Sequence, residues 1–109
     1  MKHEELTLEK QCRSHARACG WACWKNEKNG CKGIPDDSFL SPDGTRFLLV
    51  EFKKDAHQRL RPEQELWLKR YPNVVHRIDS FEEFQKLLKS KKFRVENLGF
   101  RVICIKFRV

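Results

Sequence analysis

The chain begins with a helical pattern of apolar residues. Residues 4–19 contain neither proline nor glycine. Their small and apolar positions recur at steps of three and four: Leu8, Cys12, Ala16 and Cys19. This spacing places them on one face of a helix, and the following Gly20 is a common helix end. The pattern therefore predicts a first helix within residues 4–19, with one buried face.

Short apolar segments follow and predict strands. Residues 21–25 are rich in aromatic residues and precede a loop over residues 26–33. Residues 39–40 and 46–53 flank the sequence Ser-Pro-Asp-Gly, which favours a tight turn, so they predict a β-hairpin. The second arm is mostly apolar, as expected of a central strand covered on both faces.

The rest of the domain predicts two helices and one strand. Pro62 suits the first turn of a helix that runs from Pro62 to about Arg70. Residues 74–78 are rich in β-branched side chains, and Asp79 or Ser80 caps a last helix. The order αβββαβα predicts a mixed α/β (α+β) fold, with helices on both faces of one sheet.

Length and repeats divide the chain into a domain and a tail. The 109 residues are the size of one domain, which we expect over residues 1–90. In residues 91–109 the tripeptide Phe-Arg-Val occurs three times at a spacing of seven, without the apolar spacing of a coiled coil. We interpret this tail as lying outside the core. A basic arm that contacts phosphate is the alternative.

Charge indicates the class of partner. Lys and Arg number 23 against 15 Asp and Glu, a formal net charge of +8, so nucleic acid is the first partner to consider. No segment approaches the about 20 apolar residues of a membrane span, and no signal sequence is recognisable. We expect a cytoplasmic protein that binds DNA and neither a membrane nor a small-molecule substrate. Five cysteines without a secretion signal favour free thiols.

Two carboxylates and one ammonium are predicted to converge in the hairpin. Residues two apart in a strand share a face, so Glu51 and Lys53 project together while Phe52 faces the other way. The start of the first arm lies beside the end of the second, so Asp36 approaches Glu51 across the ladder. A solvated ion pair at a strand end is the structural alternative.

This arrangement suits metal-dependent hydrolysis. Mg²⁺ or Mn²⁺ prefers oxygen ligands, which Asp36, Glu51 and the main-chain carbonyl of Phe52 could supply. The metal would neutralise developing charge on a phosphate and acidify an attacking water. Lys53 would orient that water or stabilise the transition state. The predicted chemistry is hydrolysis of a phosphodiester bond.

Four segments in order resemble a known family. Residues 33–36 (GIPD), 39–44 (FLSPDG), 50–54 (VEFKK) and 60–64 (LRPEQ) resemble the VRR-NUC (virus-type replication-repair nuclease) domain of the PD-(D/E)XK superfamily. The resemblance covers about residues 4–88. It implies a restriction-endonuclease-like αβββαβ core, which agrees with the order of elements predicted above.

The resemblance also implies roles for individual residues. Asp36 and Glu51 would be metal ligands, Lys53 the catalytic lysine, and Gln64 the glutamine of the helix after the active-site strand. The family has a further glutamate on its first helix, as a metal ligand and catalytic residue. Glu9 fits this position best, and Glu5 is the alternative.

Basic residues near this site are expected to contact DNA. Lys25, at the end of the first predicted strand, resembles a basic position near the phosphate path. Lys54, Arg59 and Arg61 follow the Glu-Phe-Lys segment closely, which favours phosphate binding. One departure from the family is Asp37, where relatives often have a basic residue. Asp37 would either join the metal site or weaken DNA contact.

The resemblance extends to substrate and assembly. Short members of the family resemble dimeric enzymes of phages and bacteria that cut branched DNA, such as four-way (Holliday) junctions. We therefore expect a metal-dependent endonuclease that acts on branched DNA, as in DNA repair. A homodimer would present two active sites to a symmetric junction. The alternatives are a non-catalytic basic DNA-binding module and a protein-interaction module that uses the face around Trp67.

Overall fold

A computed structural model of the protein describes residues 7–28 and 30–90. Within these ranges the element order is αβββαβα, as predicted. The elements are α1 (Leu8–Ala18), β1 (Ala22–Lys25), β2 (Asp37–Leu40), β3 (Phe47–Phe52), α2 (Pro62–Arg70), β4 (Val75–Ile78) and α3 (Phe81–Lys89). Glu5 and the tail over residues 91–109 lie outside the described residues. None of the described helices is long and apolar enough to cross a membrane.

The strands form one mixed sheet in the order β1-β2-β3-β4. Strands β1, β2 and β3 are antiparallel neighbours, and β4 pairs with β3 in parallel. Directly paired residues share a face of the sheet. The pairs Asp37–Val50 and Phe39–Leu48 therefore lie on one face, whereas Glu51 lies on the other.

The hydrophobic core lies between the first of these faces and two helices. Cys12 and Ala16 of α1 and Phe84 of α3 pack with Phe39 and Val50, and all five are buried. The ring centroids of Phe39 and Phe84 are 5.1 Å apart. Helix α2 covers the opposite face near β4. Helices thus lie on both faces of the sheet, as the element order predicted.

Capping residues set the ends of the helices. Thr7 has an extended backbone, and its hydroxyl accepts a hydrogen bond from the Lys10 N–H at 3.2 Å. Helix α1 therefore begins at Leu8, because Thr7 satisfies a free N–H at this end. Of the two predicted caps of α3, the structure uses Ser80, which accepts from the Glu83 N–H.

Arg46 joins the hairpin to the end of α3. Its guanidinium donates hydrogen bonds to the carbonyls of Leu87 and Leu88, each at 2.9 Å. It also lies over the ring of Trp21, 5.4 Å from the centroid. The last carbonyls of a helix lack partners within the helix, and a cation there is favourable. Arg46 therefore fixes α3 against the start of β3.

Burial predicts a large difference in reactivity among the cysteines. Cys12 is fully buried, and burial together with the charge of Asp37 raises the pKa of its thiol to about 12. Cys19 and Cys31 are exposed. At about pH 8, we expect iodoacetamide to modify Cys12 about a hundredfold more slowly than Cys19 or Cys31. Peptide mass mapping measures the rates, and denaturant should make them similar. Equal rates in the native protein would contradict this core.

Candidate active site

Asp36 and Glu51 meet at the border between β2 and β3. The register that pairs Asp37 with Val50 sets the preceding Asp36 opposite Glu51. The Asp36 Oδ2 atom accepts a hydrogen bond from the Phe52 N–H at 2.9 Å. A side-chain oxygen of Asp36 thus continues the hydrogen bonding between β2 and β3 beyond the last main-chain pair. The bond fixes this carboxylate oxygen in position. The other oxygen, Oδ1, accepts a hydrogen bond from the Lys28 ammonium at 3.0 Å.

Glu51 and Lys53 form a buried ion pair beside Asp36. Glu51 is 5% exposed and Lys53 is 8% exposed. The Lys53 ammonium lies 3.3 Å from Glu51 Oε2. Because side chains alternate between the two faces along a strand, Glu51 and Lys53 lie on the same face of the sheet. Charged side chains are seldom buried unless they are paired, so the burial of each of these two residues depends on the other.

Gln64 ties the ion pair to helix α2. Its Nε2 donates to Glu51 Oε2 at 2.8 Å, and its Oε1 accepts from the Lys53 ammonium at 3.2 Å. The same Oε1 accepts from the Arg61 N–H at 2.8 Å, at the start of the helix. Pro62 occupies the first turn, where its missing N–H has no cost. One glutamine therefore caps α2 and orients two site residues.

The carboxylate of Glu51 is suited to a cation. Burial, and then the charge of Asp36, raise the pKa of Glu51. Its Oε1 is buried and accepts no hydrogen bond from any described residue. A buried acceptor without a donor is costly unless a cation or water satisfies it. This orphaned oxygen next to Asp36 fits a divalent metal ion.

Asp36 and Glu51 are the carboxylates of this site that could serve as donors to a metal ion. Within residues 7–28 and 30–90, no group of three or more His, Cys, Asp or Glu side chains is placed to hold a metal ion. Mg²⁺ is commonly held by one or two carboxylates, with water and substrate phosphate as further ligands. Asp36 and Glu51 supply such a pair of carboxylates.

Glu9 lies in a second cluster of charges. Its Oε2 contacts the Arg13 guanidinium at 2.8 Å and the Lys25 ammonium at 2.9 Å. Arg13 also contacts Asp37 Oδ2 at 2.8 Å. Asp37 is fully buried on the core face of the sheet, opposite to the face of Glu51. The structure thus does not bring Glu9 to Asp36 and Glu51, and its role as a metal ligand remains a prediction.

The pKa values of the two acids in this second cluster are shifted in opposite directions. Burial, and then the hydrogen bond with Glu9, raise the pKa of Asp37 to about 7. For Glu9, burial acts in the raising direction, but hydrogen bonds with Asp37 and Lys25 outweigh it and lower the pKa to about 2. The two carboxylates thus differ in their surroundings, because Asp37 is fully buried whereas Glu9 is near the surface and contacts both Arg13 and Lys25.

The predicted DNA-binding residues are accessible on the surface. Lys54, Arg59 and Arg61 are exposed along the segment that links β3 to α2. Lys25 at the end of β1 has a side chain that is 61% exposed, although Glu9 binds its ammonium. Arg77 supports the linking segment by donating hydrogen bonds to the carbonyls of Asp55 and Gln58.

Sequence reasoning missed two residues of these clusters. Arg13 stands four residues after Glu9, a spacing that indicates an ion pair within a helix. Its contact with Asp37 could not be predicted in this way, because it depends on how α1 packs against the sheet. Lys28 lies in the loop after β1, and its ammonium is 3.0 Å from Asp36 Oδ1. The sequence offered one indication that Lys28 lies near the site. The loop that contains it starts after Lys25, which pairs with Asp37 in the ladder, and returns to Asp36.

Comparison with known families decides the identity. The family model for the VRR-NUC domain matches residues 1–74. The chain belongs to the VRR-NUC family. It is therefore a nuclease domain of the PD-(D/E)XK type. A solved structure described as a VRR-NUC domain is 27% identical, with a TM-score of 0.67, and the match covers 75% of this chain and 90% of that chain. No curated protein matches the sequence.

In this VRR-NUC domain, Gly33 allows α2 to approach the strand that follows Asp36. Gly33 has φ +79°, and a Cβ there would lie 2.6 Å from Glu63 Cβ and 2.7 Å from its carbonyl oxygen. Gly44 has a similar φ of +76°, but nothing lies within 4 Å of a Cβ. The two glycines have similar positive φ angles, so they differ mainly in the room available for a Cβ atom.

We therefore expect different effects of alanine at these two glycines. Gly44→Ala should lower the free energy of unfolding by about 1–2 kcal/mol, and Gly33→Ala by about 3 kcal/mol or more, because only the latter also displaces α2. Urea denaturation followed by circular dichroism measures both values. Equal losses would mean that the close packing of Gly33 against Glu63 contributes nothing.

Proposed function

We propose that this nuclease domain is a divalent-metal-dependent DNA endonuclease that hydrolyses phosphodiester bonds. The observation that carries the proposal is the buried cluster of Glu51, Lys53 and Gln64 beside Asp36. A carboxylate pair with an orphaned oxygen and a buried ammonium at the same point are the parts that such hydrolysis requires.

Each residue of the cluster has a role in the proposed mechanism. Asp36, Glu51 and the Phe52 carbonyl would hold Mg²⁺ or Mn²⁺, which supplies charge neutralisation at the phosphate and a more acidic water. Lys53 orients the attacking water and offsets negative charge in the transition state. Gln64 keeps Lys53 and Glu51 in register by its two hydrogen bonds. Proximity and orientation of this kind lower the barrier.

Glu9 stays the proposed first-helix glutamate of the site. Its contact with Arg13, which also holds Asp37, connects it to the residue next to Asp36. A ligand role for Glu9 would require its carboxylate to leave Arg13 and Lys25. In the arrangement described, Glu9 supports the position of the Asp36–Asp37 segment. Glu5, the alternative, lies outside the described residues.

We further propose branched DNA as the substrate and a homodimer as the working form. The net charge of +8 supports binding to a polyanion. A twofold dimer would present two active sites to the two symmetric strands of a four-way junction. Such an enzyme would act in the cytoplasm of a bacterial or phage-infected cell, where DNA is accessible, and would serve DNA repair.

Removal of a surface charge near the site should weaken DNA binding in a salt-dependent way. We expect Lys54→Gln and Arg59→Gln each to reduce the slope of log affinity against log salt concentration by about 1, because each would lose one phosphate contact. Fluorescence anisotropy in EDTA measures binding without cleavage. Lys89→Gln, in the last turn of α3, is the control of equal charge. If Lys54→Gln and Arg59→Gln have the same salt dependence as Lys89→Gln, neither Lys54 nor Arg59 contacts the DNA backbone.

Cleavage tests the proposed function directly. Purified protein is incubated with a labelled four-way junction and a matched linear duplex, in Mg²⁺, Mn²⁺ or EDTA. We expect paired symmetric cuts in the junction, none in EDTA, and a loss of about a hundredfold to a thousandfold in Lys53→Met. Lys89→Met, which removes an exposed lysine of α3, should cleave like the unaltered protein.

The outcomes separate the functional classes. Tight, salt-dependent DNA binding without cleavage under any ion would support the non-catalytic DNA-binding module. Equal cleavage of junction and duplex would retain the endonuclease but overturn the preference for branched DNA. Sedimentation velocity on the same samples reports the assembly. A monomer that makes paired cuts would contradict the proposed dimer.

A further inference from the structure

Lys28 approaches the two carboxylates of the proposed metal site from the side that other groups leave open. Its ammonium lies 3.0 Å from Asp36 Oδ1 and 4.0 Å from Glu51 Oε1. The remaining oxygens already have partners. Asp36 Oδ2 accepts from the Phe52 N–H, and Glu51 Oε2 accepts from Gln64 and contacts Lys53. Lys28 therefore faces the same two oxygens that a metal ion would use.

Lys28 differs from Lys53 in how firmly it is held. Lys53 is 8% exposed, and Gln64 fixes its ammonium. The Lys28 side chain is 41% exposed, and its ammonium also donates to the Ile34 carbonyl at 3.1 Å. A half-exposed ammonium can leave a carboxylate at small cost, because water replaces the lost contact. Lys53 is thus held more firmly in the site than Lys28.

Two adjacent carboxylates need a positive charge between them when no metal is bound. Like charges at short range repel, and Glu51 is only 5% exposed, so water screens that repulsion little. An ammonium at this point relieves the repulsion and keeps both side chains in position. The same ammonium must leave before a cation with short metal–oxygen distances can bind both oxygens.

We propose that Lys28 is a positioning residue that acts as an internal counter-cation of the site, holding Asp36 and Glu51 until a divalent ion displaces it. The inference rests on the proposed function, since it needs these two carboxylates to bind metal. It adds to that function that a side chain of the protein, Lys28, competes with the metal ion for the two carboxylates. Displacement leaves the Lys28 ammonium beside the site, where the negative charge of a DNA phosphate can attract it.

The proposal predicts that loss of Lys28 strengthens metal binding. We expect Lys28→Gln to bind Mn²⁺ about threefold to tenfold more tightly than the unaltered protein in the absence of DNA, as expected for the loss of a half-exposed ion pair. Isothermal titration calorimetry on the full chain measures the affinity, and electron paramagnetic resonance of free Mn²⁺ checks it. Thermal unfolding confirms that each variant is folded.

A matched variant separates direct competition from the general effect of net charge. Lys32 lies in the same loop, is exposed, and has no contact with Asp36 or Glu51 among the described interactions. Lys32→Gln removes the same charge and should change the Mn²⁺ affinity less than about twofold. Asp36→Asn should abolish binding at the site in either background.

The outcomes distinguish the metal site from the role of Lys28. Equal affinities of Lys28→Gln and Lys32→Gln, with binding still lost in Asp36→Asn, would overturn the counter-cation and retain the metal site. Absence of Mn²⁺ binding in all variants, including Lys28→Gln, would overturn both the metal site and the role of Lys28. Tighter binding in Lys28→Gln alone would support both.

Discussion

The ion pair between Glu51 and Lys53, buried on the α2 face of the sheet, is the constraint on which the site depends. A buried charge is tolerated only when its partners are close and its hydrogen-bonding capacity is used. Gln64 provides a hydrogen bond to each residue of the pair, since its amide nitrogen donates to Glu51 Oε2 and its amide oxygen accepts from the Lys53 ammonium. The start of α2 is therefore tied to β3 by electrostatics as well as by packing.

The alternation of the sheet divides the acidic residues into two clusters. Asp36 and Asp37 are neighbours in sequence, but they serve opposite faces. Asp36 binds the Phe52 N–H and lies near Glu51, whereas Asp37 is buried with Arg13 against the core. One face carries the groups suited to hydrolysis, and the other carries a salt-bridged network that anchors α1. Both clusters meet at a single dipeptide, so a shift of β2 would disturb both.

Local chemistry explains why so much of the fold could be predicted. Pro62 at a first turn, the Ser-Pro-Asp-Gly turn and the apolar run of β3 act within a few residues, and the structure contains the elements that they indicate. The exact start of α1 depends on the hydroxyl of Thr7, which accepts a hydrogen bond from the Lys10 N–H, and the apolar pattern alone does not mark that residue. The link from Arg46 to the end of α3 joins residues about forty apart, which no local pattern reveals.

The sequence by itself determined the order of the elements, the family, and the convergence of Asp36 with Glu51 and Lys53. The convergence follows from strand alternation and hairpin pairing, which act over short distances along the chain, whereas the family is carried by four short sequence segments in order. Only the tertiary structure decided that Glu9 pairs with Arg13 and Lys25, that Asp37 is buried on the core face, and that Lys28 reaches Asp36. Such contacts depend on the reach of long side chains between elements, and the spacing of residues in a sequence does not encode that reach.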